Sequence, residues 1–197
     1  MNRREILKIT AVLLGAGLSG SLSQQVLAGA LPTKAAKSVF DERTRKKVAV
    51  LAELIIPKTD TPGAIEAGAP AFIEMMVGEW FDDGERKIFF EGLATLDVFC
   101  QQQYQKDFLA CDEAQRTAAL KDAEKAAGTY KSDAPAFDFT QKFVDRNTPF
   151  FTKLKELTVV GFFTSEVGAK QVLAYNPMPM RYEGDYDFKA TDREWSW

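Results

Sequence analysis

The sequence predicts an all-α protein: a small orthogonal helical domain of about six helices, followed by an extended, aromatic-rich C-terminal tail. Three observations carry this expectation. Apolar residues recur at three- and four-residue steps through 48–55, 88–104 and 150–163, the period of a helix with one buried face. Helix-start signals and glycine or proline stops punctuate those stretches. No run alternates apolar and polar residues with period two, as a half-buried strand requires.

Taken in order, Asp41 opens the first helix. Val48, Leu51, Ala52, Leu54 and Ile55 make its apolar stripe, and Arg43, Arg45, Lys46 and Lys47 occupy its polar first turns, until Pro57 stops it. The loop from Pro57 to Gly63 holds a second proline, Pro62, so its backbone is stiff. A second helix is expected from Pro70 to about Phe81, with Phe72, Met75, Met76 and Trp80 as its stripe. Asp82-Asp83-Gly84 interrupts the chain, and a third helix is expected from Glu85 to about Phe108. Asp112, with Gln115 three residues later, is a capping box for a fourth helix ending near Gly128. Phe137, Phe139, Phe143 and Val144 mark a short helix. Thr148 and Pro149 are expected as N-cap and first residue of a helix carrying Phe150, Phe151, Leu154, Leu157, Val160 and Phe163. Ser165 caps a last helical turn. The tail from Tyr175 to Trp197 has prolines and aromatics but no helical period, and it either wraps its own domain or docks on a partner.

Composition removes whole classes of function. The 197 residues include no histidine. That excludes His-based acid–base chemistry, Ser-His-Asp and Cys-His pairs, and histidine ligation of zinc, copper or haem. Two cysteines, Cys100 and Cys111, cannot hold an iron–sulfur cluster alone, and there is no CxxCH haem attachment site. No metal site is expected. The net charge is −3, and no basic face for phosphates is expected, which argues against nucleic acid as a partner.

The first thirty residues read as an address. Arg3, Arg4 and Lys8 precede an apolar stretch from Ile9 to Leu22 that is too short to span a bilayer. Small residues at Ala28 and Ala30 suit signal cleavage. Arg3-Arg4 followed by Glu5, Ile6, Leu7 and Lys8 resembles the twin-arginine signal, which implies the twin-arginine translocase as a partner, export of an already folded chain, and a periplasmic location. Without them the remainder carries 22 basic and 27 acidic residues. The string Gly15-Ala-Gly-Leu-Ser-Gly20 spells GxGxxG, but it lies inside this leader rather than between a strand and a helix, so no nucleotide site is expected. The expected division is a signal peptide at 1–30, a linker at 31–40, the helical domain at 41–174 and the tail at 175–197.

Three strings then resemble one family. Leu51-Ala-Glu-Leu-Ile-Ile-Pro-Lys-Thr-Asp-Thr-Pro-Gly-Ala64 leads into Ala67-Gly-Ala-Pro-Ala-Phe-Ile73. Phe150-Phe-Thr-Lys-Leu-Lys-Glu-Leu-Thr158 is followed by Gly161-Phe-Phe-Thr-Ser-Glu166, and Tyr175-Asn-Pro-Met-Pro179 closes the set. Together they resemble the gluconate 2-dehydrogenase subunit 3 family over about residues 45–184. The resemblance implies a non-catalytic small subunit of a periplasmic, FAD-dependent dehydrogenase of the glucose–methanol–choline type, acting on a sugar or alcohol. FAD belongs to the large subunit, and none is expected in this chain. A multihaem cytochrome c subunit accepts the electrons, and the complex associates with the membrane through its partner subunits. The small subunit carries the export signal and escorts a signal-less large subunit as passenger. The chain departs from the family pattern at Met180, where many members carry Gly, and at Asp185, where some carry Cys. A covalent tie through the tail has no residue at that position, and aromatic residues after Gly184 are candidates to replace it by packing.

The residues themselves offer few sites. Cys100 and Cys111 form an internal disulfide, stay as buried thiols, or bond to the partner; an oxidising compartment permits the first and last. No catalytic residue is expected. Ser165 and Glu166 read as a cap and a dipole-stabilising charge, and Asp82 with Asp83 supplies too few oxygens for calcium. Thr59, Thr61 and Pro62 lie on a stiff loop that is either a connector or an interface element. Phe150 and Phe151, and in the tail Pro177, Pro179, Tyr182, Trp195 and Trp197, complete the candidate partner surface. An independent periplasmic enzyme or ligand-binding helical protein is the alternative, and it would need a pocket with convergent polar groups.

Overall fold

Asp41 starts the first helix as expected: its carboxylate accepts a hydrogen bond from the Thr44 N–H at 2.7 Å and caps α1 (Glu42–Ile55). The computed structural model describes residues 38–132, 145–175, 185, 187, 189 and 193–196. The expected signal peptide and cleavage region, the short helix at 137–144, and Pro177, Pro179, Tyr182 and Trp197 in the tail lie outside the described residues.

After α1 the chain is tied back onto it. The Glu53 carboxylate accepts from the Lys58 N–H at 3.0 Å and from the Ile65 N–H at 2.9 Å, while the Ala64 N–H donates to the Ile56 carbonyl at 2.9 Å. A Cβ on Gly63 would stand 2.1 Å from that carboxylate, so any larger residue would push the Glu53 head off the backbone N–H groups it accepts from. Helix α2 (Ala69–Met75) follows Gly68, which takes the left-handed conformation with φ 77°, and has Pro70 in its first turn. A π-helical turn at Met76–Trp80 continues it.

Here the structure corrects the predicted stripe. The buried row is Ala69, Ile73 and Val77, continued by Phe81, whereas Met75 is 48% and Trp80 77% exposed. Two adjacent rows at four-residue spacing are both apolar, Phe72-Met76-Trp80 and Ile73-Val77-Phe81. Periodicity cannot choose between them; packing against α5 does.

Helix α3 (Asp83–Tyr104) starts two residues earlier than expected, because Asp82 and Glu85 form a capping box instead of a break. It stops four residues earlier, at Gln105, whose φ of 54° turns the chain into a 3-10 turn at Phe108–Ala110. Helix α4 (Glu113–Gly128) has the expected Asp112–Gln115 capping box. Helix α5 (Phe150–Phe163) has Pro149 at the N-cap position; Thr148 provides no cap and instead donates its hydroxyl to the Asp145 carbonyl. Ser165 accepts from the Gly168 N–H at 2.9 Å and caps a π-helical turn at Gly168–Val172. Ala174–Tyr175 and Trp195–Ser196 then pair in parallel as a two-residue bridge. The described domain is thus all-α, with this bridge as its one strand pairing.

Helix α5 is the centre, packed against α1, α2, α3 and α4. The core gathers around Phe89, which stacks on Phe40 at 6.0 Å and meets Phe150 edge-on at 5.3 Å. Full burial of one such ring stabilises the fold by about 2–3 kcal/mol. Lys47, expected on a polar turn, is buried instead: its ammonium pairs with Asp97 and donates to the Leu93 carbonyl at 3.3 Å. Arg43 pairs with Asp107 beside it. These pairs fasten α1 to α3 and to the turn after it. Among the described residues no helix is long and apolar enough to cross a membrane.

Candidate functional site

The inner face of α5 carries one cation. Phe150, Leu154, Leu157 and Gly161 are buried, and Lys153 falls on the same face with only 5% exposure. Its ammonium donates to Glu85 Oε1 at 3.2 Å and lies 5.0 Å from the centroid of the Phe81 ring. Glu85 Oε2 accepts from the Asp82 N–H at 3.1 Å, so one carboxylate both caps α3 and neutralises a lysine of α5. A buried lysine needs such a partner, because an unpaired charge out of water is very costly.

This ion pair is the floor of a cleft of about 440 Å³ between the π-helical turn after α2 and helix α5. Met76, Trp80 and Leu157 contribute apolar lining, and Asp145 and Glu156 contribute carboxylates. Asp145 accepts from the Tyr130 hydroxyl at 2.9 Å, from Ser132 and from the Asn147 N–H at 3.0 Å. The Ser132 hydrogen bond, with those of Tyr130 and Asn147, holds its carboxyl below the usual range. Glu156 has no hydrogen-bond or ion-pair partner among the described residues. Arg146 stands near the cleft, but Asp82 engages it. Glu156 also borders a second, shallower groove of about 520 Å³ between α4 and α5, where Phe151, Val159 and Val160 are apolar.

The residues singled out from the sequence are scattered over the domain. Thr59 is exposed, and Thr61 and Pro62 are half-buried, on the loop that Glu53 ties down, so that loop is a fixed connector with an outer face. Phe150 is engaged in the core against Phe89, whereas its neighbour Phe151 lines the groove. Cys100 and Cys111 are free thiols, both buried in the core, and the two side chains meet. Burial, then the contact with Cys111, pushes the Cys100 thiol up to about 12. Both cysteines are closed off from solvent within this chain. Among the described residues no group of three or more His, Cys, Asp or Glu side chains could hold a metal ion.

Sequence reasoning missed Trp80 as a surface residue and passed over Lys153 and Glu156. A signal for Lys153 was present: three residues after Phe150, it falls on the apolar face of a helix, where a lysine demands a counter-charge. For Glu156, an acid on an exposed helical position, no sequence signal separates it from ordinary solvent-facing charge.

Comparison with curated proteins and with solved structures returns no match to this chain. The sequence model of one family, described as gluconate 2-dehydrogenase subunit 3, matches residues 42–180. The matched span runs from the first residue of α1 into the tail and contains the whole cleft. That description implies one subunit of a dehydrogenase complex, working alongside a catalytic partner. With well over half its length matched, the chain belongs to the gluconate 2-dehydrogenase subunit 3 family.

Proposed function

We propose that this chain is the non-catalytic small subunit of a periplasmic dehydrogenase complex that oxidises a sugar or alcohol of the gluconate or glucose type. The catalytic partner is an FAD-dependent large subunit of the glucose–methanol–choline type, and a multihaem cytochrome c subunit takes its electrons and links the complex to the membrane. The observation that carries the reading is the family match over residues 42–180. The chain's lack of histidine supports the division of labour, since it offers no ordinary proton-transfer group for the oxidation. Its contribution is to grip: it binds the folded large subunit and stabilises it.

The same reading makes the chain an export escort. Arg3 and Arg4 open a leader of twin-arginine type, and a folded partner held by the domain crosses with it. Replacing both arginines by lysine tests this. A large subunit without a signal of its own should then remain in the cytoplasm. Its normal arrival in the periplasm with the Arg3→Lys/Arg4→Lys chain would refute the escort role.

A further inference from the structure

We propose that the cleft between Trp80 and Glu156 is the socket in which the catalytic subunit is held, and that it takes a basic side chain, arginine or lysine, of that subunit. The inference rests on the small-subunit reading and names the contact chemistry within it.

Three features of the cleft point to a cation. First, its charge is unbalanced. Lys153 and Glu85 pair on the floor at 3.2 Å, Asp145 shares the field of that same lysine, and Glu156 has no ion-pair partner among the described residues, so the lining sets three carboxylates against one ammonium. Arg146 does not supply a second cation, because its guanidinium pairs with Asp82. Second, Glu156 is unpartnered among the described residues and sits on a rigid helix, so no local bond has to break for it to pair. Third, the lining includes an indole. Trp80 is 77% exposed, an unusual state for the largest apolar side chain, and tryptophan gives the strongest cation–π surface of the aromatic residues. A guanidinium stacked on an indole and paired with a carboxylate uses both groups at once, and Trp and Arg are the residue types most enriched at interface hot spots.

The geometry fits a side chain rather than a helix or strand. The cleft holds about 440 Å³ and its floor is closed by the ion pair and the Phe81 ring. The neighbouring groove along Phe151 and Val160 is mostly apolar, with Glu124 and Lys155 also in its lining, and shares Glu156 with the cleft, so the backbone carrying the basic side chain can continue over a largely apolar surface. Exclusion of water around the charged contact by such a surface is what strengthens it.

The test uses the full chain co-expressed with its large subunit, with the dissociation of the purified complex followed at low and high salt. Trp80→Ala should speed dissociation by about tenfold or more, the scale of a hot-spot aromatic. Glu156→Gln should weaken the complex mainly at low salt and flatten its salt dependence, and Glu156→Arg should prevent the complex from forming. Val98→Ala, on the exposed side of α3, should change nothing. Thermal melts of each variant check folding; Trp80 and Glu156 are exposed, so the melting temperature should hold. A complex that keeps wild-type stability in Trp80→Ala and Glu156→Arg overturns the socket while leaving the subunit reading intact. A wild-type chain that forms no complex with the large subunit overturns the subunit reading itself. A wild-type chain that self-associates through Trp80, and loses this in Trp80→Ala, assigns the cleft to a second copy and overturns the proposal.

Discussion

The ring of Phe150 lies against the bare backbone of Gly92. A methyl group built on Gly92 would come 2.0 Å from Phe150 Cγ and 2.2 Å from its Cβ, well inside any real contact. This is the place where α5 meets α3, and the ring it admits also packs on Phe89 at 5.3 Å. Gly92 is mid-helix, where alanine would ordinarily favour the helix by about 1 kcal/mol. Overpacking a filled core costs about 3 kcal/mol at the upper end of the common range, so the clash wins. Gly92→Ala should therefore lose about 2 kcal/mol of stability in chemical unfolding. Combining it with Phe150→Leu should cost less than the sum of the two changes, because both act on one contact. An unchanged or raised stability in Gly92→Ala would show that the α3–α5 approach is looser than this.

The Glu85–Lys153 pair invites a second experiment. Glu85→Gln keeps a side chain able to accept from the Asp82 N–H, so the cap of α3 survives. It removes the charge that faces Lys153, a lysine only 5% exposed. Leaving a buried cation unpaired should cost about 3 kcal/mol. Adding Lys153→Met, of similar shape and no charge, should recover most of that, since replacing a whole buried pair by apolar groups is often near neutral. Unfolding titrations of the two singles and the double decide it. A double variant as unstable as Glu85→Gln would mean that the charge pairing is not what holds this contact.

Much of this architecture was legible because it depends on short-range chemistry. Asp41, Asp112 with Gln115, and Ser165 cap the segments they were expected to cap, since a cap is decided within four residues. What was not legible depends on partners distant in sequence. The facing of α2 is chosen by α5, as Gly161 shows: a Cβ there would meet Phe72 at 2.8 Å, so Phe72 is fitted to a residue far along the chain and Ile73 is turned inward. The early start of α3 escapes a reading of Asp82-Asp83-Gly84 as a glycine break, because the capping pair of Asp82 and Glu85 decides it. The cleft could not be seen at all, because Trp80, Glu85 and Glu156 come together only through the fold.

Acid should unfold the domain, while neutral pH should not matter to it. Several carboxyl groups sit below their ordinary values: Asp41 through the hydrogen bond from Thr44, Asp82 through the Glu85 N–H and then Arg146, Glu74 through Arg45. A carboxyl whose folded value is lowered adds stability that is complete above its unfolded value, near pH 4, and is lost as pH falls through the folded value. With no histidine in the chain, no side chain of ordinary value titrates between about pH 5 and 8. The melting temperature should be flat across that interval and fall steeply below about pH 4, and Glu74→Gln should soften the fall. A transition near pH 6.5 would contradict this account.

The state of Cys100 and Cys111 should report the export route. The chain reverses at Gln105 and through the turn at Phe108–Ala110, which returns Cys111 to Cys100 at the end of α3. Both sulfurs are buried, and the Cys100 thiol is pushed up to about 12, burial being the main cause. Oxidation proceeds through the thiolate and needs access, so a folded chain oxidises slowly even in the periplasm. A chain that crosses unfolded exposes both thiols to that compartment before the core closes, whereas one that folds in the reducing cytoplasm arrives with them sealed. If the twin-arginine reading of Arg3 and Arg4 holds, protein recovered from the periplasm should carry two thiols that resist alkylation when native and react fully once denatured. The same chain behind a general secretory leader should carry a Cys100–Cys111 disulfide, readable as a mass two hydrogens lower without reductant. The bond closes only a short loop, so it should add no more than about 3 kcal/mol. Its presence in protein exported by the native leader would mean either that the chain crosses unfolded or that the core opens readily afterwards. The melting temperature of the reduced protein separates those two: a high value leaves only unfolded export.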